Sequence, residues 1–203
     1  NILSKDYNSI SGVSIDIRYL PCGEIGGDIY DIAEIRPGVV RVFLADATGH
    51  GFQAALVTMI IKGEYEQIKY LIQSPSALLH ELNNRFILTY GSLHTYFTCA
   101  VVDIDLRDKE VRYSSAGHLE QYLISGDDVL TLSCRGIIIG FIQDYQFREM
   151  EQRYEGDAVL FMYTDGLIDT PNFQQTDRAV NAIKATLRGR RFGGPGELNN
   201  GVI

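Results

Sequence analysis

The chain lacks a disulfide framework. Its 203 residues hold three cysteines, Cys22, Cys99 and Cys134, far apart and without a CxxC pair. An odd number without metal spacing argues against a stapled secreted scaffold and fits a reducing, cytosolic setting. Positive charge is also short: 18 Lys and Arg against 26 Asp and Glu leave a formal net charge of −8. A sequence-independent grip on nucleic acid needs a basic surface, so that class is excluded. The same balance suits a site that gathers carboxylates around cations. No apolar run can span a bilayer; the longest, "AALVTMII" at residues 54–61, is far too short. No direct membrane contact is expected of this stretch. The opening "NILSKDYNSISG" has neither the charged start nor the apolar middle of a signal peptide. It reads as a cut through a longer protein, so the expected location is cytoplasmic, whether free or as the cytoplasmic part of a membrane-tethered protein. Internal repeats, a Gly-rich phosphate loop and a convincing Ser or Cys nucleophile motif are all missing.

What is present is core-forming material. Hydrophobic residues make up 45% of the chain, with 12 Tyr and 9 Phe, enough for one large domain over residues 1–203. Residues 1–12 read as a lead-in, and the Gly- and Arg-rich stretch 189–201 as a loop. Alternating strand-like segments dominate: "VSIDIRYL", "DIYDIAEI", "VVRVFLAD", "YFTCAVVDIDL", "EVRYSSAG", "QYLISG", "DVLTLS", "GIIIGFI", "FREMEQRY" and "AVLFMYTDG". Gly, Asp or Asn punctuates most of the gaps, so hairpins and antiparallel sheets are expected. One helix is expected from about Phe52 to Gln67, apolar on most faces and buried against a sheet. A second starts at a Ser74 N-cap with Pro75 in its first turn. Leu78, Leu79, Leu82 and Phe86 form its apolar stripe, and His80 is expected at the surface. A third covers residues 177–189. The fold class is α+β, with two sheets packed face to face and helices outside.

Three aspartates stand out at strand ends beside glycine: Asp28 in "EIGGDIYD", Asp46 in "VFLADATG" and Asp165 in "LFMYTDG". A carboxylate there is held by a rigid sheet yet open to solvent and ions, and hard cations take oxygen ligands and keep several waters. A lone Asp before Gly is ordinary turn chemistry, so the case depends on the three converging. The hairpin at Pro37-Gly38 bears on this. A register pairing position 28 with 46 puts both carboxylates on one face. The register of a two-residue loop pairs 28 with 47 and sends them to opposite faces. The turn sequence leaves both open. His50 and His118 lie in "GH" turns, where each is a metal ligand, a proton carrier or simply a turn residue. Cys99, inside "FTCAVV", reads as a small core residue. "GGDIYD" lacks the Glu and Phe of the diguanylate cyclase signature.

Taken in order, "RYLPCGEIGGDIYD", "LADATGHGFQAALV", "SSAGH" and "LFMYTDGLIDTPN" resemble the bacterial metal-dependent serine/threonine phosphatases of the sporulation stage II E type, within the phosphatase 2C (PPM) superfamily. The resemblance runs from Val13 to Asn172. It implies a four-layer αββα sandwich of two antiparallel sheets flanked by helices, with a centre for two Mn²⁺ or Mg²⁺ ions at one end. It implies hydrolysis of phosphoserine or phosphothreonine on a small regulatory protein, of the anti-sigma-factor-antagonist kind, in a partner-switching pathway. By motif, Asp28, Asp46 and Asp165 match metal ligands and catalytic residues, and the Ala47 carbonyl joins Asp46. Asp31 and His50 match auxiliary positions. Homodimerisation is a family-based expectation. The family's fourth acidic ligand comes from a "DD-x-T" turn, where this chain reads "GELNNGVI" with Asn199 and Asn200. An Asn oxygen coordinates without charge, so a catalytically impaired pseudophosphatase that binds a phosphoprotein is the alternative.

Overall fold

A computed structural model of the protein describes residues 10–19, 26–47, 49, 51–168 and 173–188. The elements run β1 (Asp28–Arg36), β2 (Val39–Ala47), α1 (Phe52–Ile68), α2 (Pro75–Tyr90), β3 (Phe97–Asp105), β4 (Glu110–Ala116), β5 (Gln121–Ser125), β6 (Asp128–Leu132), β7 (Met150–Arg153), β8 (Ala158–Phe161) and α3 (Phe173–Arg188). Five strands form one sheet in the order β1-β2-β3-β4-β7, and three form a second in the order β6-β5-β8. Every pairing is antiparallel.

Strand alternation sorts the side chains into three cores. From β3, Phe97, Cys99 and Val101 point toward Ile61 and Tyr65 of α1 and Leu78, Leu79, Leu82 and Phe86 of α2. Its intervening Ala100 and Val102 meet Leu123 and Leu132 of the second sheet. On that sheet's far side, Tyr122 and Ile124 pack with Ile183 and Leu187 of α3. The layers are therefore helix, sheet, sheet, helix, as the resemblance implied. Cys99 is fully buried, and burial pushes its thiol up, so it is inert packing.

Three expectations need correction. Residues 13–19 do alternate between half-buried and exposed but are not a strand. Alternation belongs to any extended chain, whereas a strand also needs a paired backbone. "GIIIGFI" makes a single bridge, Ile139 to Phe97, because Gly140 at φ 93° turns the chain away. Helix α1 buries only one side: Ala54, Ile61, Tyr65 and Ile68 face the sheet, while Leu56 and Met59 are about half exposed at 47% and 57%. Helix α2 matches its reading, with the Ser74 hydroxyl capping the Ala77 N–H at 3.1 Å.

The helix-facing side of the first sheet carries charge where aliphatic packing would be expected. Arg41 is fully buried and opposite Asp103, to which it donates two hydrogen bonds of 2.6 Å. Its third nitrogen donates to the carbonyls of Lys69 and Ile72, at 2.9 and 2.8 Å, just past the end of α1. Asp31, also fully buried on this face, takes Lys62 at 2.8 Å and Lys69 at 3.0 Å. Phe43 stacks on Tyr65 with ring centroids 4.1 Å apart. Helix α1 is thus fastened to β1–β3 by ion pairs as well as by oil.

Losing one member of a buried pair strands the other charge in low dielectric, at a cost of about 3–5 kcal/mol. Asp103→Ala is expected to destabilise the protein by that amount in urea unfolding. The double change Arg41→Met with Asp103→Leu should recover most of it. A double variant less stable than the single would contradict this account.

Candidate active site

The β1–β2 hairpin contains both registers. Arg36 pairs with Val39 across Pro37-Gly38, as a two-residue loop demands, with Gly38 at φ 81°. A bulge at Ile35 then shifts the ladder by one, and from Glu34 onward the other register holds. Asp28 therefore lies directly opposite Asp46. Thr98 of β3 is the next cross-strand neighbour of Asp46. All three side chains project on the face between the sheets, at the end where β2 finishes.

The second sheet delivers Asp165 to the same place. Beyond β8, the backbone of Tyr163 is clamped by the fully buried amide of Gln121, which accepts from its N–H at 2.7 Å and donates to its carbonyl at 3.1 Å. This fixes the two residues that follow. The Thr164 hydroxyl donates to an Asp28 carboxylate oxygen at 2.8 Å, and Asp165 opens a short 3-10 turn. Asp165 does not end the strand, as its sequence setting suggests; it stands four residues past Phe161.

The three carboxyl groups feel one another. Burial, then the charges of Asp165 and Asp28, push Asp46 up to about 7, and both neighbours lie within hydrogen-bond reach of it. Asp28 is raised as well, chiefly by burial, with hydrogen bonds from Thr164 and Asp46 opposing the shift. Such a cluster is stable only with shared protons or a counter-cation. Ala47 follows as the last residue of β2. A Cβ on Gly27 would come 2.8 Å from the Ala47 carbonyl oxygen, so only glycine lies against it without crowding. Among the described residues, no three His, Cys, Asp or Glu side chains already enclose a cation. The donor set is two half-buried carboxylates, one exposed carboxylate and a carbonyl, which suits an ion that retains waters better than one needing a closed cage.

Of the residues singled out in the sequence, Asp28, Asp46, Ala47 and Asp165 come together. Asp31 does not: it sits on the opposite face of β1, neutralised by lysines. His50, Asn199 and Asn200 lie outside the described residues. His118 places Nδ1 at 2.8 Å from the Thr98 hydroxyl, behind Asp46. Its Nε2 is buried with no well-formed hydrogen bond among the described residues, and burial, opposed by the Tyr163 backbone, lowers its pKa to about 4, so it is neutral at pH 7. Sequence reasoning missed Thr164, Gln121 and Gly27. The Gly-Gly before Asp28 was a usable signal for the last, whereas a lone buried Gln carries none.

The native proton affinity of Asp46 exceeds that of an unfolded carboxyl, so its contribution to stability is present below about pH 4 and is lost as pH rises through about 7. In chelator-treated protein the thermal midpoint should fall over this window, and Asp46→Asn should flatten the fall. An unchanged slope in the variant would refute the clustering.

The family model for Stage II sporulation protein E (SpoIIE) matches residues 36–202. The phosphoserine phosphatase RsbP of Bacillus subtilis is 28% identical over 163 residues, covering 77% of this chain and 40% of the relative. Phosphoserine phosphatase RsbU of the same organism is 24% identical over 152 residues, covering 74% and 45%. The chain thus spans less than half the length of these curated relatives. Among solved structures, the phosphatase domain of SpoIIE from Bacillus subtilis superposes with a TM-score of 0.72 at 20% identity, covering 89% of this chain and 54% of that one. The SiaA-PP2C domain of Pseudomonas aeruginosa gives 0.73 at 21%, covering 90% and 73%. At such identities the structural likeness speaks for the fold.

Proposed function

The chain belongs to the Stage II sporulation protein E (SpoIIE) family, and on that premise we propose that it is a metal-dependent protein serine/threonine phosphatase. Its substrate is phosphoserine or phosphothreonine on a small regulatory protein, of the anti-sigma-factor-antagonist type, in a bacterial partner-switching pathway. One observation carries the reading. Asp28, Asp46 and Asp165 are delivered to one point by two different sheets, and the charges of Asp165 and Asp28 add to burial in raising the proton affinity of Asp46. Two relatives of this family bear the name phosphoserine phosphatase, and a related structure, RsbX, is described in complex with magnesium.

The residues fit a hard divalent cation. Asp28, Asp46, Asp165 and the Ala47 carbonyl would hold Mn²⁺ or Mg²⁺, two ions being the proposed complement, with Asp46 central because both other carboxylates flank it. The ions would supply positive charge to the phosphoryl oxygens and acidify water for attack on phosphorus. Thr164 keeps the Asp28 carboxylate in one orientation by its hydrogen bond. His118, turned toward Thr98 and held uncharged at pH 7 by burial, supports the wall behind Asp46. Among the described residues no helix is long and apolar enough to cross a membrane, and we place the domain's work in the cytoplasm, with the signalling proteins it would act on.

The test is hydrolysis of p-nitrophenyl phosphate with and without Mn²⁺. Wild-type turnover should require the ion, and Asp46→Asn should lower it at least ~100-fold. Absence of turnover at saturating Mn²⁺, with retained binding of a phosphoprotein, would favour the pseudophosphatase that Asn199 and Asn200 suggest. Thr164→Val should weaken Mn²⁺ binding about 10-fold by calorimetry, and Thr164→Ser should restore it. Equal affinity in all three proteins would remove Thr164 from the site.

A further inference from the structure

The turn between β4 and β5 builds a bracket around His118. Gly117, at φ 66°, bridges Cys99 of β3, the residue beside Thr98. The Ser115 hydroxyl accepts from the His118 N–H at 3.1 Å and donates to the His118 carbonyl at 3.2 Å. The Tyr113 hydroxyl and the Gln121 amide both donate to the Leu119 carbonyl, at 3.3 and 3.1 Å. Backbone on both sides of the ring is thus fixed, and with it the direction in which the ring points.

The ring meets both sheets. Nδ1 lies 2.8 Å from the hydroxyl of Thr98, in the five-stranded sheet. The ring also feels the backbone of Tyr163, just past β8 of the three-stranded sheet, which raises its affinity for a proton against the effect of burial. The Tyr163 N–H is already given to the Gln121 amide oxygen at 2.7 Å. What Tyr163 offers His118 is therefore its carbonyl, and a carbonyl only accepts. A neutral imidazole has a single N–H. With that hydrogen on Nε2, Nδ1 is a bare acceptor, and the short contact to Thr98 is a bond that the threonine donates.

Thr98 has one proton to give, and a second acceptor stands beside it. Asp46 is its direct cross-strand partner, and both side chains project on the face between the sheets. The hydrogen bonds that act on Asp46 nevertheless come from Asp28 and Asp165. Thr164 does the reverse to Asp28, giving its proton to one carboxylate oxygen at 2.8 Å. Two threonines beside two acids thus behave oppositely, and the difference is His118. Asp28 can spare one oxygen for Thr164. Asp46 is flanked by both other carboxylates, so a cation shared among them needs both of its oxygens.

We propose that His118 is a positioning residue for the cation site: as the Nε2–H tautomer it takes the Thr98 proton, which leaves both Asp46 oxygens free to hold a divalent ion. The inference rests on the metal-centre reading above and concerns binding of the ion, not turnover. Two variants separate the acceptor from the packing. His118→Asn can place an oxygen where Nδ1 stands, and His118→Leu fills the space with no acceptor. By calorimetry, Mn²⁺ should bind about 10-fold more weakly to His118→Leu and within about two-fold of wild type to His118→Asn. Adding Thr98→Val to His118→Leu should restore the affinity, because the released hydroxyl that competes for Asp46 is then gone. A loss caused by packing alone would persist or deepen in that double variant. The tautomer is read without metal. Long-range ¹H–¹⁵N spectra of the chelator-treated wild-type protein should show His118 as the Nε2–H form at pH 7, assigned by its absence from His118→Asn. An Nδ1–H ring overturns the proposal even if no variant folds, since it would donate to Thr98 and release the hydroxyl proton. Equal Mn²⁺ affinity in wild type and His118→Leu, or no recovery in the double variant, overturns it as well. If the wild-type protein binds Mn²⁺ but leaves p-nitrophenyl phosphate intact, the phosphatase reading fails, and recovery of affinity in the double variant still upholds the role of His118.

Discussion

Carboxylates repel one another, and three of them brought to one point, Asp28 and Asp46 half-buried and Asp165 exposed, must be held by forces outside the cluster. Most of the positional detail near the sheet ends can be traced to that requirement. The hairpin register sets Asp28 across from Asp46. The Gln121 amide grips the Tyr163 backbone, so the second sheet cannot relax Asp165 away. Thr164 ties the two sheets together through Asp28. The elevated proton affinity of Asp46 has the same origin, burial first and then the charges of Asp165 and Asp28 beside it.

Behind the cluster, the first sheet is stiffened by charge. Asp31 and Asp103 are acidic and lie in the same strands, or next to the same strands, as the site carboxylates. Each is neutralised by a buried cation on the helix side. A β-strand can therefore carry acids on both faces with opposite outcomes: one face leaves its acids uncompensated, the other locks them to α1. Sequence position alone does not distinguish Asp28 from Asp31, because the difference is created by which layer lies across from each face.

Much of the fold was legible in the residues. The α2 stripe, the Ser74 cap, Cys99 as filler and the antiparallel hairpins all follow from local period and turn chemistry. The convergence of Asp28 and Asp46 was legible only as a choice between two registers, since the bulge at Ile35 has no side-chain signature. Residues 13–19 misled because alternation reports an extended chain and not a paired one. His80 misled for the opposite reason. A polar residue on a helix reads as solvated, yet here a distant loop folds back to receive it. The supports of the site were invisible because each acts on a partner far away in sequence, Gln121 on the Tyr163 backbone and Thr164 on the Asp28 carboxylate.

The bulge at Ile35 also bears on how this hairpin can change over evolutionary time. Exposed Gly-containing turns are ordinarily where insertions and deletions are tolerated. This turn is exposed and contains Gly38, yet gaining or losing one residue between Glu34 and Val40 would invert the facing of Asp28 relative to Asp46. Length variation there should come in steps of two, or be matched by loss of the bulge itself. A tip remote from the chemistry thus carries a parity rule imposed by the chemistry, and a variable-length alignment of the hairpin would be expected to show even gaps.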